Sequence, residues 1–274
     1  MPGPDRYVLF GHPVSHSWSP FIHGLFARQF GHDIEYHLVD VEPERFRMVA
    51  LEFFAAGGRG ANVTLPHKLA AAELANELTP RAQRAAAVNT LALRAGNNVL
   101  GDNTDGVGLV ADLQNNLGIH VAGRSVLMLG AGGAVRGVLG SLLAQNPKRV
   151  LIVNRTTARA HDLASSFADL GTVSGGGFDA AGGRQWDLVI NATSIGLSGG
   201  VPGLPEDALG PDTICYDISY SRSATPFQRW VTGLGVRQAY QGWGMLVEQA
   251  AESYLLWRGV RPDTAPVRGA LATL

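Results

Sequence analysis

Short apolar runs alternate with helix-type patterns along most of the chain. The apolar runs are rich in β-branched residues, which favour strands. Between them, apolar residues recur at the spacing of an amphipathic helix, as in 19–30, 43–58 and 157–171. This alternation predicts an α/β fold in which mostly parallel sheets are covered by helices. The predicted strands are 6–11, 34–41, 60–65, 87–93, 125–130, 149–155, 186–194 and 213–220.

The alternation is most regular after Ser125. Two buried strands there flank a helix that begins in a glycine-rich turn, which is the arrangement of a doubly wound nucleotide-binding domain. A chain of 274 residues is long for one hydrophobic core and sufficient for two. We therefore expect two α/β domains, a Rossmann-like domain at 106–240 and a first domain at 1–105 to which the helical segment 241–274 returns.

The composition narrows the class of protein. A hydrophobic content of 46% and a charged content of 16% are typical of a globular protein. The net charge of -1 gives no electrostatic reason to bind nucleic acid or an anionic membrane, and no apolar run reaches membrane-spanning length. We therefore expect neither nucleic acid nor a membrane as a partner.

Cys215 is the only cysteine of the chain. A single thiol excludes an internal disulfide and a thiolate metal cluster, and we predict no metal site. This cysteine usage is typical of a reducing cytoplasm. Because Cys215 lies in an apolar run, a buried structural thiol is the expected state.

The turn GAGGA at 130–134 lies between a predicted strand and a predicted helix. Small residues at such a turn let the backbone approach a pyrophosphate at the helix N-terminus, although Val135 stands where the usual third glycine would be. The next predicted strand ends in NRTTAR, 154–159, where an NAD enzyme places a carboxylate. Arg155 and Arg159 instead offer guanidinium groups to a 2′-phosphate, which predicts NADP as the cofactor; the alternative is two surface charges at a helix start.

Polar residues in the first half follow or flank predicted strands. Lys68 lies at a strand-to-helix corner where the helix dipole disfavours a cation. Ser15 and Ser17 lie in the loop after the first strand, and Ser19 is predicted to cap the following helix. Each residue has an ordinary alternative: Lys68 as a solvated lysine, Asn89 as a turn former and Asp105 as a helix cap.

The motifs together resemble the shikimate dehydrogenase family. GHPVSHSWSP, GANVTLPHK, AVNT, GDNTDG, GAGGAVRG, NRTTAR, NATSIG and GMLVEQAA occur in the order and spacing of that family across essentially the whole chain. The resemblance implies reduction of 3-dehydroshikimate to shikimate with NADPH, in the pathway to chorismate and the aromatic amino acids. It also implies that the first domain binds substrate, in a cleft shared with the NADP-binding domain. The resemblance leaves open whether the chain is a monomer or a homodimer.

The resemblance also implies the roles of individual residues. Lys68 and Asp105 match the family's catalytic acid–base pair, in which an ammonium supplies a proton and a positive neighbour to the developing alkoxide. Residues matched to substrate binding are Ser15, Ser17, Thr64, Lys68, Asn89, Asp105, Tyr220 and Gln249. Residues matched to cofactor binding are Gly130, Ala131, Gly132, Gly133, Ala134, Asn154, Arg155, Thr156, Thr157, Ala158, Arg159, Ile218 and Gly242.

The chain departs from many relatives at Pro80, Gln241 and Trp243. Two other functions are compatible with the family resemblance. A quinate or dual quinate/shikimate dehydrogenase often uses NAD, against which Arg155 and the S-x-S loop argue. A non-catalytic sensor could lose its acid–base pair without penalty, yet Lys68 and Asp105 are both present.

Overall fold

The computed structural model describes residues 3–273, apart from the side chains of Leu197 and Ser198. The chain divides into two compact units, the first formed by 1–108 and 246–274 and the second by 109–245. The chain passes between the units within two of its helices, and each unit has its own six-stranded sheet.

The sheet of the first unit is parallel except for one strand. Its strand order is β2-β1-β3-β5-β6-β4, and only β5 runs antiparallel to its neighbours. The strands are β1 (Asp5–Gly11), β2 (Ile34–Asp40), β3 (Gly60–Val63), β4 (Glu77–Leu78), β5 (Thr90–Leu93) and β6 (Val99–Asp102).

The sheet of the second unit is parallel throughout, in the order β12-β11-β10-β7-β8-β9. This doubly wound sheet, together with the first, confirms the predicted fold class. The sequence pattern did not reveal β9 or β12, which form the two edges of the sheet and carry few apolar residues. The strands are β7 (Ser125–Leu129), β8 (Arg149–Val153), β9 (Val173–Gly176), β10 (Leu188–Asn191), β11 (Ile214–Asp217) and β12 (Gln238–Gln241).

Ten α-helices lie within the described residues, several with proline in the first turn, where its missing N–H costs nothing. One predicted helix near 72–78 is shorter than expected, because the chain is extended at Ala75 and pairs as β4. The helices are α1 (Ser19–Phe30), α2 (Phe46–Ala55), α3 (Lys68–Leu74), α4 (Pro80–Ala85), α5 (Asp105–Ala111), α6 (Gly133–Leu143), α7 (Thr157–Ser165), α8 (Pro226–Gly233), α9 (Trp243–Arg258) and α10 (Ala265–Ala272).

Both faces of the second sheet are buried, as a parallel sheet between helices requires. Val135, at the position of the usual third glycine, packs fully buried in this core. Cys215 is also fully buried, and burial raises the pKa of its thiol to about 12, so the expectation of a structural thiol is confirmed. No helix between residues 3 and 273 has both the length and the apolar character needed to cross a membrane.

Candidate active site

Strand direction gathers several predicted site residues at one edge of the first sheet. The S-x-S loop follows β1, and Thr64 to Lys68 follow β3, which lies parallel beside β1. Because β5 runs antiparallel to β3 and β6, Asn89 just before β5 lies at the same edge as Asp105, which follows β6. The carboxyl edge of an α/β sheet is where ligands bind.

Lys68 and Asp105 form an ion pair at this edge. The Lys68 Nζ donates to Asp105 Oδ2, and the two side chains are only 14% and 9% exposed. Lys68 is the first residue of α3, and the peptide N–H of Val88 donates to its carbonyl oxygen. The pair is therefore shielded and fixed by the backbone, which argues against a freely solvated lysine.

Asn89 connects the ion pair to the protein interior. Its Nδ2 donates to the second oxygen of Asp105, at 2.8 Å, and to Thr104 Oγ1, at 2.9 Å. Its Oδ1 accepts from the peptide N–H of Thr104 at 2.8 Å and from the Thr90 hydroxyl at 2.9 Å. Every polar atom of the Asn89 side chain is thus engaged, so Asn89 orients Asp105 and is more than a turn former.

Gln249 reaches the same cluster from α9. Its Oε1 lies 3.4 Å from both Asn89 Nδ2 and Thr104 Oγ1. Gly108 lets α9 approach closely, since a Cβ there would meet the backbone and Cβ of Gln249 within 3 Å. Thr104 therefore belongs to the site although sequence reasoning missed it; its place in the motif NTDG, next to Asp105, was the available signal.

The turn that presents Asp105 is anchored by a buried carboxylate. Asp102, at the end of β6, is 1% exposed and accepts hydrogen bonds from the Thr79 hydroxyl and from Arg81, whose Nε lies 2.7 Å away. Burial alone would raise the pKa of Asp102, but the hydrogen bonds from Arg81 and Thr79 outweigh it and lower the pKa. A fixed Asp102 fixes the residues that follow it.

His67, next to Lys68, has a structural role. Its ring stacks on Phe46 with centroids 4.7 Å apart, and its Nε2 donates to the carbonyl oxygen of Val41 at 2.8 Å. Burial lowers its pKa. Thr64 is different: its hydroxyl makes no hydrogen bond with any described residue, which leaves it able to bind a ligand.

The two serines of the loop after β1 differ in their contacts, and their predicted role in binding the substrate carboxylate stays a prediction. Ser17 Oγ donates to Ser19 Oγ at 3.1 Å and accepts from the Ser19 peptide N–H at 3.2 Å. Ser15 is exposed and its hydroxyl contacts no polar group among residues 3–273. The expectation that Ser19 caps α1 was wrong, because Ser19 already lies in the helix and Trp18 occupies the cap position. The structure thus places Ser17 beside Ser19 at the start of α1.

The base of this loop is tied to the end of β2. Asp40 Oδ1 lies 2.6 Å from His12 Nδ1, and Asp40 Oδ2 accepts from the peptide N–H of Val14 at 3.3 Å. The hydrogen bond to Asp40 raises the pKa of His12. These contacts hold the loop that carries Ser17.

The glycine-rich turn of the second unit has the form of an anion-binding site. Gly130 has φ +107°, and a Cβ there would lie 3.1 Å from the carbonyl oxygen of Ala192, so only glycine fits. Cβ atoms on Gly132 and Gly133 would meet nothing within 4 Å, so the start of α6 faces open space. No side chain caps α6, which leaves its first N–H groups available to a phosphate. Ala131 and Ala134 complete the turn.

The segment 154–159 follows β8 at the next position along the sheet edge. Asn154 Nδ2 donates to the carbonyl oxygen of Thr156 at 3.1 Å, which shapes the turn. Arg155 and Arg159 are exposed and form no ion pair or hydrogen bond through their side chains with any residue that the structure describes. Thr156, Thr157 and Ala158 are exposed beside them. The segment 154–159 thus offers two unengaged guanidinium groups and has no acidic residue of its own.

Ile218 and Gly242 come together at the ends of β11 and β12. A Cβ on Gly242 would collide with the carbonyl oxygen of Ile218, and the Gly242 peptide N–H donates to the Ser219 carbonyl oxygen at 3.0 Å. The buried Asp217 side chain accepts from the Ser219 peptide N–H at 3.1 Å and from the Thr225 hydroxyl at 2.7 Å. The glycine is therefore required by close backbone approach.

Tyr220 also belongs to the second unit and lies next to Trp243, with ring centroids 4.6 Å apart. Burial raises the pKa of its hydroxyl. The predicted contact of Tyr220 with substrate stays a prediction. Among the described residues, no group of three or more His, Cys, Asp or Glu side chains is arranged to hold a metal ion.

Three family models match successive parts of the chain. They describe the shikimate dehydrogenase substrate-binding domain (residues 9–91), shikimate/quinate 5-dehydrogenase (112–194) and the shikimate 5′-dehydrogenase C-terminal domain (242–272).

Similar proteins match over nearly the whole chain. The shikimate dehydrogenase (NADP(+)) of Methylococcus capsulatus is 54% identical over 97% of this chain and 96% of its own length. The crystal structure of an Ael1 enzyme from Pseudomonas putida superposes with a TM-score of 0.90 at 42% identity, covering 97% of this chain and 98% of that one. Shikimate 5-dehydrogenase from Thermus thermophilus, solved with NADP(H) and shikimate, superposes with a TM-score of 0.85 at 32% identity, covering 97% and 98%.

Proposed function

The chain belongs to the shikimate dehydrogenase family, and from that membership we propose that it reduces 3-dehydroshikimate to shikimate with NADPH, reversibly. The observation that supports this most is the shielded Lys68–Asp105 pair held by Asn89 at the ligand-binding edge of the sheet. We propose that the first unit binds substrate and that the second binds NADP, as parts of a cytoplasmic enzyme.

The second unit fits NADP on its own geometry. Gly132 and Gly133 leave room in front of α6 for the pyrophosphate, and Arg155 and Arg159 have no competing acidic partner among the described residues. The chemistry that NADPH supplies when bound is a hydride. The backbone at Ile218 and Gly242, which is set by their close contact, would line the nicotinamide end of the site.

Lys68 acts as the general acid in ketone reduction. As the substrate carbonyl carbon gains a hydride, its oxygen becomes an alkoxide, and the Lys68 ammonium both stabilises that charge and donates the proton. In shikimate oxidation the neutral amine accepts the proton from the hydroxyl. Asp105 holds the ammonium in place, and Asn89 fixes the carboxylate from the other side.

The remaining residues at this edge hold the substrate. Thr64, Asn89 and Gln249 are proposed to bind ring hydroxyls, with Thr104 added from the structure. Ser15, whose exposed hydroxyl has no polar partner among the described residues, and Ser17, just before α1, are proposed to bind the substrate carboxylate.

We expect Ser17→Ala to raise KM for shikimate about ten- to a hundredfold, because a hydrogen bond to a charged group contributes about 1.5–3 kcal/mol. Turnover should change less. Ser15→Ala should raise KM similarly, and Ser165→Ala, at an exposed position at the end of α7, is the matched control whose KM should stay close to that of the unmodified chain. Initial rates with varied shikimate measure all three variants, and an unchanged KM in both Ser15→Ala and Ser17→Ala would exclude this loop as the carboxylate site.

We expect shikimate to be oxidised far better than quinate. The shikimate carboxylate is attached to a ring double bond and lies near the ring plane, whereas quinate carries a hydroxyl on a tetrahedral carbon at that position. Hydrogen-bond donors that are positioned for the in-plane carboxylate of shikimate would be misaligned with the carboxylate of quinate. The extra hydroxyl of quinate would also be buried without a hydrogen-bond partner. An unpaired polar group costs about 1–3 kcal/mol, a roughly ten- to hundredfold loss in kcat/KM.

The comparison of the two acids, with NADP at one pH, also decides the main alternative function. The central family model covers both shikimate and quinate 5-dehydrogenases, which makes a dual-substrate enzyme the second candidate. Comparable kcat/KM for the two acids would favour that class. Absence of turnover with either acid, in protein that binds NADP, would favour a non-catalytic sensor.

A further inference from the structure

Behind the acid–base pair lies a group of polar side chains that the proposed reaction does not touch. Tyr36 comes from β2, Asn62 from β3 and Thr90 from β5. Asn62 is 5% exposed and Thr90 is fully buried. Burying a polar group costs folding free energy unless the group is hydrogen-bonded, so the partners of these side chains indicate why they are buried here.

The hydrogen bonds of this group have a common direction. The Tyr36 hydroxyl donates to Asn62 Oδ1 at 2.8 Å. Since that contact occupies the oxygen end of the Asn62 amide, the nitrogen end must face the other way, and Asn62 Nδ2 lies 3.2 Å from Thr90 Oγ1. Ser253 Oγ lies 2.7 Å from the same Thr90 oxygen, and the Ser253 hydroxyl also donates to the Gln249 carbonyl oxygen at 3.1 Å.

Thr90 connects these hydrogen bonds to the catalytic pair through Asn89. With its oxygen accepting from Asn62, the Thr90 hydroxyl donates to Asn89 Oδ1 at 2.9 Å. Asn89 Nδ2 then donates to Asp105, which accepts from Lys68 on its other oxygen. The oxygen and nitrogen of an amide are nearly equal in size, so hydrogen-bond partners alone decide which of them faces Asp105. The Asn89 oxygen also accepts from the Thr104 peptide N–H at 2.8 Å, so Thr90 and this peptide group hold the orientation together, and a reversed Asn89 would bring two acceptors together.

We propose that Thr90 is a positioning residue that holds the Asn89 amide toward Asp105, as the central link of a hydrogen-bond chain from Tyr36 through Asn62 to the catalytic pair. The inference rests on the proposed function for its kinetic consequences. Linked donors of this kind polarise one another, so each strengthens the next.

The Tyr36 hydroxyl is the outermost donor of this series of hydrogen bonds. Burial raises the pKa of Tyr36 above its usual value, so its hydroxyl keeps its proton and remains a donor.

Thr90→Val removes the hydroxyl and preserves the shape of the side chain. We expect kcat to fall about ten- to a hundredfold, the cost of a misplaced catalytic group, while KM for shikimate changes less. Thr90→Ser keeps the hydroxyl and should recover most of the loss. Thr213→Val is the matched control. Thr213 is also buried and accepts a hydrogen bond from the Gly210 peptide N–H, but it lies in the second unit and takes no part in this series of hydrogen bonds.

The side-chain amide signals of Asn89 in a ¹⁵N-labelled protein, identified by their loss in Asn89→Ala, give a readout independent of turnover. They should move in Thr90→Val and stay unchanged in Thr90→Ser and Thr213→Val. If Thr90→Val fails to fold, Tyr36→Phe tests the far end of the chain with the same two readouts. Unmoved Asn89 signals, or an active enzyme whose kcat is unaffected, would overturn the inference. If the unmodified protein is inactive but the Asn89 signals still move in Thr90→Val, the result would count against the proposed function alone.

Discussion

Replacing Lys68 by alanine should reduce kcat by about 10²-fold or more, because it removes the general acid and the positive charge next to the developing alkoxide. KM for shikimate should change much less, since the side chains proposed to bind the substrate carboxylate and ring hydroxyls are all retained. Initial rates with shikimate and NADP, together with a thermal melt to verify folding, measure the effect.

The chain offers a matched control. Lys148 is its only other lysine, lies exposed in the second unit and should tolerate the same substitution. If Lys68→Ala turns over at nearly the normal rate, Lys68 is an ordinary surface cation and the mechanism fails. An equal loss in Lys148→Ala would indicate a general effect of removing positive charge.

Replacing Arg155 by aspartate should weaken NADP binding and narrow the preference over NAD. The change removes a charge-assisted hydrogen bond to the 2′-phosphate and offers an acceptor to a 2′-hydroxyl. The loss should be on the order of 1.5–3 kcal/mol, about a ten- to hundredfold rise in Kd for NADP. Titration of each cofactor in the absence of substrate separates binding from catalysis.

The structure supports this expectation, because Arg155 is exposed at the end of β8 and forms no side-chain ion pair with any described residue. Arg45→Asp makes the same charge change at an exposed position of the first unit and should leave both affinities as they were. If the ratio of NADP to NAD affinity is the same in Arg155→Asp as in the unmodified chain, another group sets the cofactor preference.

Most of the fold could be predicted from local sequence patterns. Buried parallel strands read as continuous apolar runs, and the glycine turn at Gly130 needs a positive φ, so both have strong signals in the sequence. The edge strands β9 and β12 had no such signal, because they contain exposed residues such as Gln238 and form no apolar run. The direction of β5 was also hidden, since pairing direction depends on distant strands and not on local composition.

The site divides in the same way. Lys68 and Asp105 could be proposed from motifs, but the contact of Asn89 with Asp105 depends on the reversed direction of β5, which brings the start of that strand beside the end of β6. Thr104 was missed because a single hydroxyl in a loop has no periodicity, and its partners decide what it does. Thr90 looked like an ordinary β-branched strand residue, and only its contacts set it apart.

Consumption of NADPH by the purified unmodified chain, with 3-dehydroshikimate as the only acceptor, tests the central claim most directly. The account predicts turnover that requires the acceptor, falls at least about 10²-fold in Lys68→Ala and is unchanged in Lys148→Ala. No turnover of 3-dehydroshikimate by folded protein that binds NADPH, or equal turnover by Lys68→Ala, would contradict it.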